Sequence, residues 1–350
     1  MSNPVLASEF GAPVQVIEGV TRTQFDAEIR PGNRPVLLKG LVSGWPACLA
    51  ARGGMACAVR YLKERDNGVP ADTLLGEPSI QGDFFYGETT RSLNFLQGRV
   101  PISVALDRLV EQAGLAEPHS VYVQSASLSE HMPLFARDNA TDLIDGSIDP
   151  RIWIGNAVRV QTHYDLSDNV ACLVAGRRRF TLFPPDQIRN LYPGPFESTL
   201  AGTPVSMVKL EAPDLVAYPR FAEAARHALV ADLEPGDAVF IPYGWWHHVR
   251  SFERFNILVN YWWSDRPHGM SPYDALLASS LAFRGLEPRQ KAFWRDMLDF
   301  HVFSDQDDSL AHLPVDERGA LGGVGREQQL ALVQLLLERL ARQIRDNNAR

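Results

Sequence analysis

Between residues 151 and 263 the chain carries a succession of short β-type runs with no helical periodicity between them, and this restricts its fold more than any other feature. The runs are Arg151 to Ile154, Val158 to Tyr164, Asn169 to Val174, Arg178 to Phe183, Ala238 to Pro242 and Phe255 to Trp263, with Gly176 at a hairpin between two of them. Strands alternating with helices would indicate a parallel sheet, whereas short strands in succession indicate antiparallel sheets packed face to face. The expected architecture is mostly β with flanking helices, built on a double-stranded β-helix, or jelly roll.

The flanks read differently. Upstream, Thr21-Arg22-Thr23-Gln24 fits a capping box that opens a short helix ending near Pro31-Gly32-Asn33. Pro35 to Lys39 reads as a strand, Ile102 to Ala113 has helical spacing through Val104, Leu106, Leu109 and Val110, and Ser120 to Ser125 alternates as a strand. Downstream, Asp274 to Phe283, Pro288 to Phe300 and Arg326 to Ile344 are helical. The last carries Leu330, Val333, Leu336, Leu337, Leu340 and Ile344 on one broad stripe, which packing on the barrel or a two-fold dimer through these helices would cover. The division expected is a mixed α/β part over 1–118, a catalytic core over 119–265 and C-terminal helices over 266–350. Pro184 to Ala228 and Asp305 to Gly325 read as long loops, the first a candidate substrate lid.

Composition narrows the setting. No basic stretch leads into an apolar one between Met1 and Gly11, and no run approaches the roughly 18 apolar residues that span a bilayer, so neither export nor membrane insertion is expected. Cys48, Cys57 and Cys172 cannot all pair within one chain and lack zinc spacing, which points to free thiols in a reducing, cytoplasmic setting. A net charge of −8 gives no electrostatic reason to expect a nucleic-acid partner and suits a polypeptide or small-molecule substrate better.

The chemistry is concentrated in His163-Tyr164-Asp165 and in Tyr243-Gly244-Trp245-Trp246-His247-His248. Side chains two apart on a strand share a face, so His163 and Asp165 would present an imidazole and a carboxylate together. A histidine from the second motif would complete two imidazoles and one carboxylate on one side of a metal, the facial arrangement of non-haem Fe(II) oxygenases. Zinc, manganese and nickel also accept such ligands. His247 and His248 point to opposite faces of a strand, so only one of them serves, and periodicity alone leaves open which. The remaining histidines, among them His119, His131, His227, His268, His301 and His312, have no partner at ligand spacing and read as surface or capping residues.

At these residues the chain resembles the JmjC-type cupin oxygenases, and within them the small cupin-like hydroxylases, a group that includes the asparaginyl hydroxylase acting on hypoxia-inducible factor. The resemblance runs through Trp153-Ile154-Gly155, Thr162-His163-Tyr164-Asp165, Gly176-Arg177-Arg178-Arg179-Phe180, Pro235-Gly236-Asp237, Trp245-Trp246-His247-His248 and Val259-Asn260-Tyr261-Trp262. It implies Fe(II) held by His163, Asp165 and His247, with 2-oxoglutarate as cosubstrate. It further implies that Arg178, on the inner face with Phe180 and Leu182, pairs with the distal carboxylate of 2-oxoglutarate, assisted by Tyr122. Asn169 and Asn260 would flank the iron-bound end. Arg178 stands where these hydroxylases usually carry lysine, and Val160 where they usually carry a threonine that assists cosubstrate binding.

The expected function is therefore an Fe(II)- and 2-oxoglutarate-dependent oxygenase that uses O2 to hydroxylate a protein side chain. A modified RNA base or small metabolite is the alternative substrate, and a metal-binding cupin without oxygen chemistry the alternative class. Lysine demethylation is less favoured, since no histone-reading domain is recognisable. Phe84, Phe85 and Tyr86 could stack on a substrate, with burial an equal alternative.

Overall fold

The computed structural model describes residues 10–196, 199, 202–264, 270–304, 310–314, 317–318 and 325–348. It divides into two compact units, Met1–Ser264 and Asp265–Arg350.

The first unit contains the strands β1 (Ala12–Pro13), β2 (Gln15–Glu18), β3 (Val36–Lys39), β4 (Pro70–Gly76), β5 (Leu96–Pro101), β6 (Ser120–Ser127) and β7 (Arg151–Gly155). They are followed by β8 (Arg159–Tyr164), β9 (Asp168–Ala175), β10 (Arg178–Phe183), β11 (Leu229–Leu233), β12 (Ala238–Ile241), β13 (Trp246–Ser251) and β14 (Asn256–Trp263). A five-stranded sheet has the order β1-β11-β10-β13-β8, and a nine-stranded sheet the order β2-β3-β12-β9-β14-β7-β6-β4-β5. Pairing is antiparallel except at β1 with β11 and β2 with β3. This is the jelly-roll sandwich expected, in which the larger sheet has absorbed strands from the N-terminal part.

Both faces of the larger sheet are covered. On β9, Ala171 and Leu173 join Phe180, Leu182 and Val249 in the core between the sheets, while Val170, Cys172 and Val174 face a second core. That second core receives Cys48, Leu62 and Leu106 from the helices Pro46–Arg52, Met55–Lys63 and Ile102–Ala113. A strand covered on both faces loses the alternation of a half-buried one, which is why β9 reads as an unbroken apolar run. The helix Ile102–Ala113 buries Ile102, Ala105, Leu106 and Leu109, a spacing of 3, 1 and 3 that keeps one face, and leaves Val104 and Val110 about half exposed. The stripe expected through Val104 and Val110 is thus rotated. Thr21 caps its helix as expected, accepting from Gln24 N at 3.2 Å.

The segment read as a loop after Pro184 is partly structured. It contains the helix Phe221–Arg226, whose Phe221, Ala224 and Ala225 pack with Phe183, Leu191 and Trp246. Cys48, Cys57 and Cys172 are all free, and burial pushes the Cys48 thiol up to about 11. Among the described residues no helix is long and apolar enough to cross a membrane.

The second unit contains the helices Pro272–Phe283, Pro288–Leu298 and Arg326–Asn348. Leu330, Leu337, Leu340 and Ile344 of the expected stripe are exposed. His268 and most of the loop expected over 305–325 lie outside the described residues.

Candidate metal centre

Asp165 follows directly on β8, and its neighbour across the sheet is decided by the pairing of β8 with β13, which sets His247 opposite His163. The ring centroids of these histidines are 4.3 Å apart. His163 Nε2 lies 4.0 Å from Asp165 Oδ1, and His247 Nε2 lies 3.6 Å from Asp165 Oδ2. One ligand atom from each of the three residues fits within 4.8 Å of the others. His248, one residue on, turns to the opposite face and lies 3.5 Å from Glu211. This register brings His247, and not His248, beside His163 and Asp165.

Backbone carbonyls fix the rings. His163 Nδ1 is 2.7 Å from the Gln161 carbonyl and His247 Nδ1 is 3.1 Å from that of Trp245. A carbonyl only accepts, so each Nδ1 carries the hydrogen and each Nε2 keeps its lone pair for a metal. Burial, reinforced by the nearby His163, holds His247 down to about 4, so it is neutral at physiological pH.

The carboxylate is oriented from the other sheet. Trp262 Nε1 donates to Asp165 Oδ2 at 3.0 Å and Asn169 Nδ2 to the same oxygen at 3.4 Å. Behind them Asn260 Nδ2 donates to Asn169 Oδ1 at 3.2 Å, and Trp153 Nε1 to Asn260 Oδ1 at 2.7 Å. Asn169 and Asn260 are thereby joined in one relay ending on Asp165. Trp153 was not singled out from the sequence, although it lies in a stretch that carries the resemblance. Trp246, between the two motif residues Trp245 and His247, packs with Phe183 and Phe221 on the outer side.

Arg178 is 1% exposed, and none of its three guanidinium nitrogens has a hydrogen-bond partner. Its neighbours Arg177 and Arg179 point outward and pair with Glu253 and Asp232, each at 2.7 Å. Burial lowers the pKa of Arg178, opposed by the facing Tyr122, and raises that of Tyr122, opposed by Arg178. A cavity of about 310 Å³ reaches from His163 and Asp165 to Tyr122, walled by Phe84, Phe95 and Trp153. Gly202 and Val205 of the segment after Pro184 also border it. Phe85 and Tyr86 are buried against Val205, away from the cavity wall.

Two imidazoles and a carboxylate suit a divalent metal with open positions, and a buried guanidinium without a counter-ion suits a carboxylate ligand beside it. The residues therefore fit iron and 2-oxoglutarate. A model of the cupin-like domain matches residues 22–269. The chain belongs to the cupin-like family. It is 29% identical over 285 residues to the lysine-specific demethylase JMJ31 of Arabidopsis thaliana, a match covering 73% of this chain and 51% of that protein. It is 28% identical over 279 residues to the tRNA wybutosine-synthesizing protein 5 of Gallus gallus, covering 73% of this chain and 78% of the relative. The human counterpart is 29% identical over 278 residues, with 73% and 79% covered. These JmjC-type relatives are Fe(II)- and 2-oxoglutarate-dependent oxygenases, and that is the enzyme class of this chain. The likeness to the asparaginyl hydroxylase rests on the motifs alone.

Proposed function

We propose that His163, Asp165 and His247 hold Fe(II), that Arg178 with Tyr122 receives the distal carboxylate of 2-oxoglutarate, and that the enzyme hydroxylates a polypeptide side chain. The observation that carries the cosubstrate reading is the Arg178 guanidinium, buried with no partner on the inner face of the sheet that supplies both histidines. An unpaired buried cation costs several kcal/mol, and a carboxylate offsets that cost. When bound, the iron would activate O2, and 2-oxoglutarate would supply two electrons as it is oxidised to succinate and CO2, so that one oxygen atom enters the substrate C–H bond and the other the succinate.

The protein's own part is geometric. His163 and His247 present their Nε2 atoms to one side of the site, and Trp262 and Asn169 keep Asp165 turned toward them. Asn260 positions Asn169 in turn, so on this reading both asparagines act through Asp165. Arg178 and Tyr122 orient the keto acid from the far end, and the aromatic walls of the cavity exclude water from the reacting carbon.

A modified tRNA base is a second reading of the substrate. It is favoured by the 78% and 79% of the wybutosine-synthesizing relatives that the chain covers, against 51% of the demethylase. The net charge of −8 carries no weight against it, because a sum over the chain does not describe a local surface. Arg179, Arg250 and Arg159 stand side by side across β10, β13 and β8. The free thiols support a cytoplasmic setting and the exposed apolar stripe of the last helix a dimer, which light scattering on the full chain tests.

Anaerobic titration with Fe(II) and then 2-oxoglutarate, followed by visible absorption, tests the site. A metal-to-ligand charge-transfer band is expected in the parent and not in His163→Ala. Bound iron without a band would sink the cosubstrate assignment. Oxygen-dependent succinate release stimulated by peptides or by tRNA then separates the two substrates.

A further inference from the structure

Four side-chain polar groups besides Arg178 are buried without hydrogen-bond partners in the described part of the first unit, and one of them lies directly across a strand pair from it. Ser251 ends β13 and is the register partner of Arg178 on β10. Residues directly opposite in an antiparallel pair project to the same face. That face is the interior, since the next pairs along, Phe180 with Val249 and Leu182 with His247, bring Phe180, Leu182 and Val249 to the core between the sheets. Ser251 is 4% exposed, and its Oγ has no hydrogen-bond partner.

We propose that Ser251 binds the distal carboxylate of 2-oxoglutarate beside Arg178, supplying the hydroxyl donor that this chain lacks at Val160. The inference rests on the cosubstrate reading above. A serine oxygen can accept from a guanidinium, yet these two neighbours make no such bond. Both sets of donors remain uncommitted at adjacent interior positions, and what satisfies them together is a negatively charged acceptor with two oxygen atoms. Ser251 is held in place by its backbone, whose N–H donates to Val158 O at 2.9 Å. Val158 packs against Tyr122, so the serine, the arginine and the tyrosine belong to one end of the barrel. Val160 reaches the same region with an apolar side chain, packed against the core between the sheets and against the Tyr122 cluster, and has no hydrogen to give.

The test uses the full chain loaded with Fe(II) without oxygen, titrated with 2-oxoglutarate and with 2-oxobutyrate, which has the keto acid but no distal carboxylate. Calorimetry and the charge-transfer band give the two dissociation constants. Ser251→Ala is expected to weaken 2-oxoglutarate about tenfold, the size of one lost hydrogen bond to a charged group, and to leave iron and 2-oxobutyrate binding unchanged. Adding Val160→Thr to that variant is expected to restore most of the loss, and Val160→Thr alone to tighten 2-oxoglutarate. Parental affinity in Ser251→Ala, or equal weakening of both keto acids, overturns the role of Ser251 alone. A parent that binds iron but not 2-oxoglutarate overturns the cosubstrate reading together with this one.

Discussion

The indole N–H of Trp262 donates to Asp165 Oδ2 at 3.0 Å, so a residue of the nine-stranded sheet orients a carboxylate that the five-stranded sheet carries. Groups that orient a metal ligand typically govern about tenfold or more in metal affinity. Trp262→Phe keeps the ring and removes the donor. It is expected to weaken Fe(II) about tenfold in competition with a chelator while the melting temperature holds. Unchanged affinity would mean that Asn169 alone suffices to hold Asp165.

Arg178→Met separates stability from binding. Replacing a buried, unpaired guanidinium by an apolar chain of similar length removes a desolvation cost on the order of several kcal/mol. The ligand-free variant should therefore melt higher than the parent while losing 2-oxoglutarate binding. A variant that melts lower would show that the guanidinium already has compensation in the ligand-free protein.

Metal-free protein should lose stability as the pH falls below 6.5. His247 and His248 are both held down to about 4, in each case chiefly by burial. In the unfolded chain they titrate near 6.5, so between pH 6.5 and about 4 the unfolded state takes up protons that the native state refuses. The stabilisation from the two neutral rings is complete above 6.5 and gone below about 4. Urea unfolding at pH 7 and pH 5.5, with a chelator present, should differ by roughly 2–3 kcal/mol. Equal midpoints would place the protons on the native rings.

Gly176 turns the β9–β10 hairpin at φ +83°, and a Cβ there would stand 2.1 Å from Asn256 Oδ1. Asn256 is pinned by its amide hydrogens, given to the carbonyls of Glu253 at 2.6 Å and Asn156 at 3.2 Å. Gly176→Ala combines a disfavoured backbone angle with this clash, and a loss of at least about 2 kcal/mol is expected by denaturant titration. A smaller loss would show that the hairpin can shift away from Asn256.

The strands most legible in the sequence are those whose interior positions are apolar. Arg178 could be placed by parity because Phe180 and Leu182 mark the face it shares. β13 escaped the strand pattern for the opposite reason, since its interior positions carry His247 and Ser251, polar groups that serve the site. The approach of Trp153, Trp262, Asn169 and Asn260 to Asp165 depends on strands from both sheets, which no local pattern encodes. Simple counting by twos also fails along β8, where three residues separate His163 from Val160 but two separate their partners, His247 and Val249. The extra residue is a bulge that brings both Val160 and His163 to the cavity.

Because His163, His247 and Asp165 are all carried by the five-stranded sheet while the hydrogen bonds that steady Asp165 come from the other, the ligand set is oriented only when the two sheets are packed together. Loading with iron then couples to the packing of the sandwich: its free energy is greatest where the sheets are closed and Asp165 is held, and smaller where they have parted. The metal should thus sharpen the cooperativity of the whole barrel's unfolding, joining events that would otherwise be separable into a single melting step.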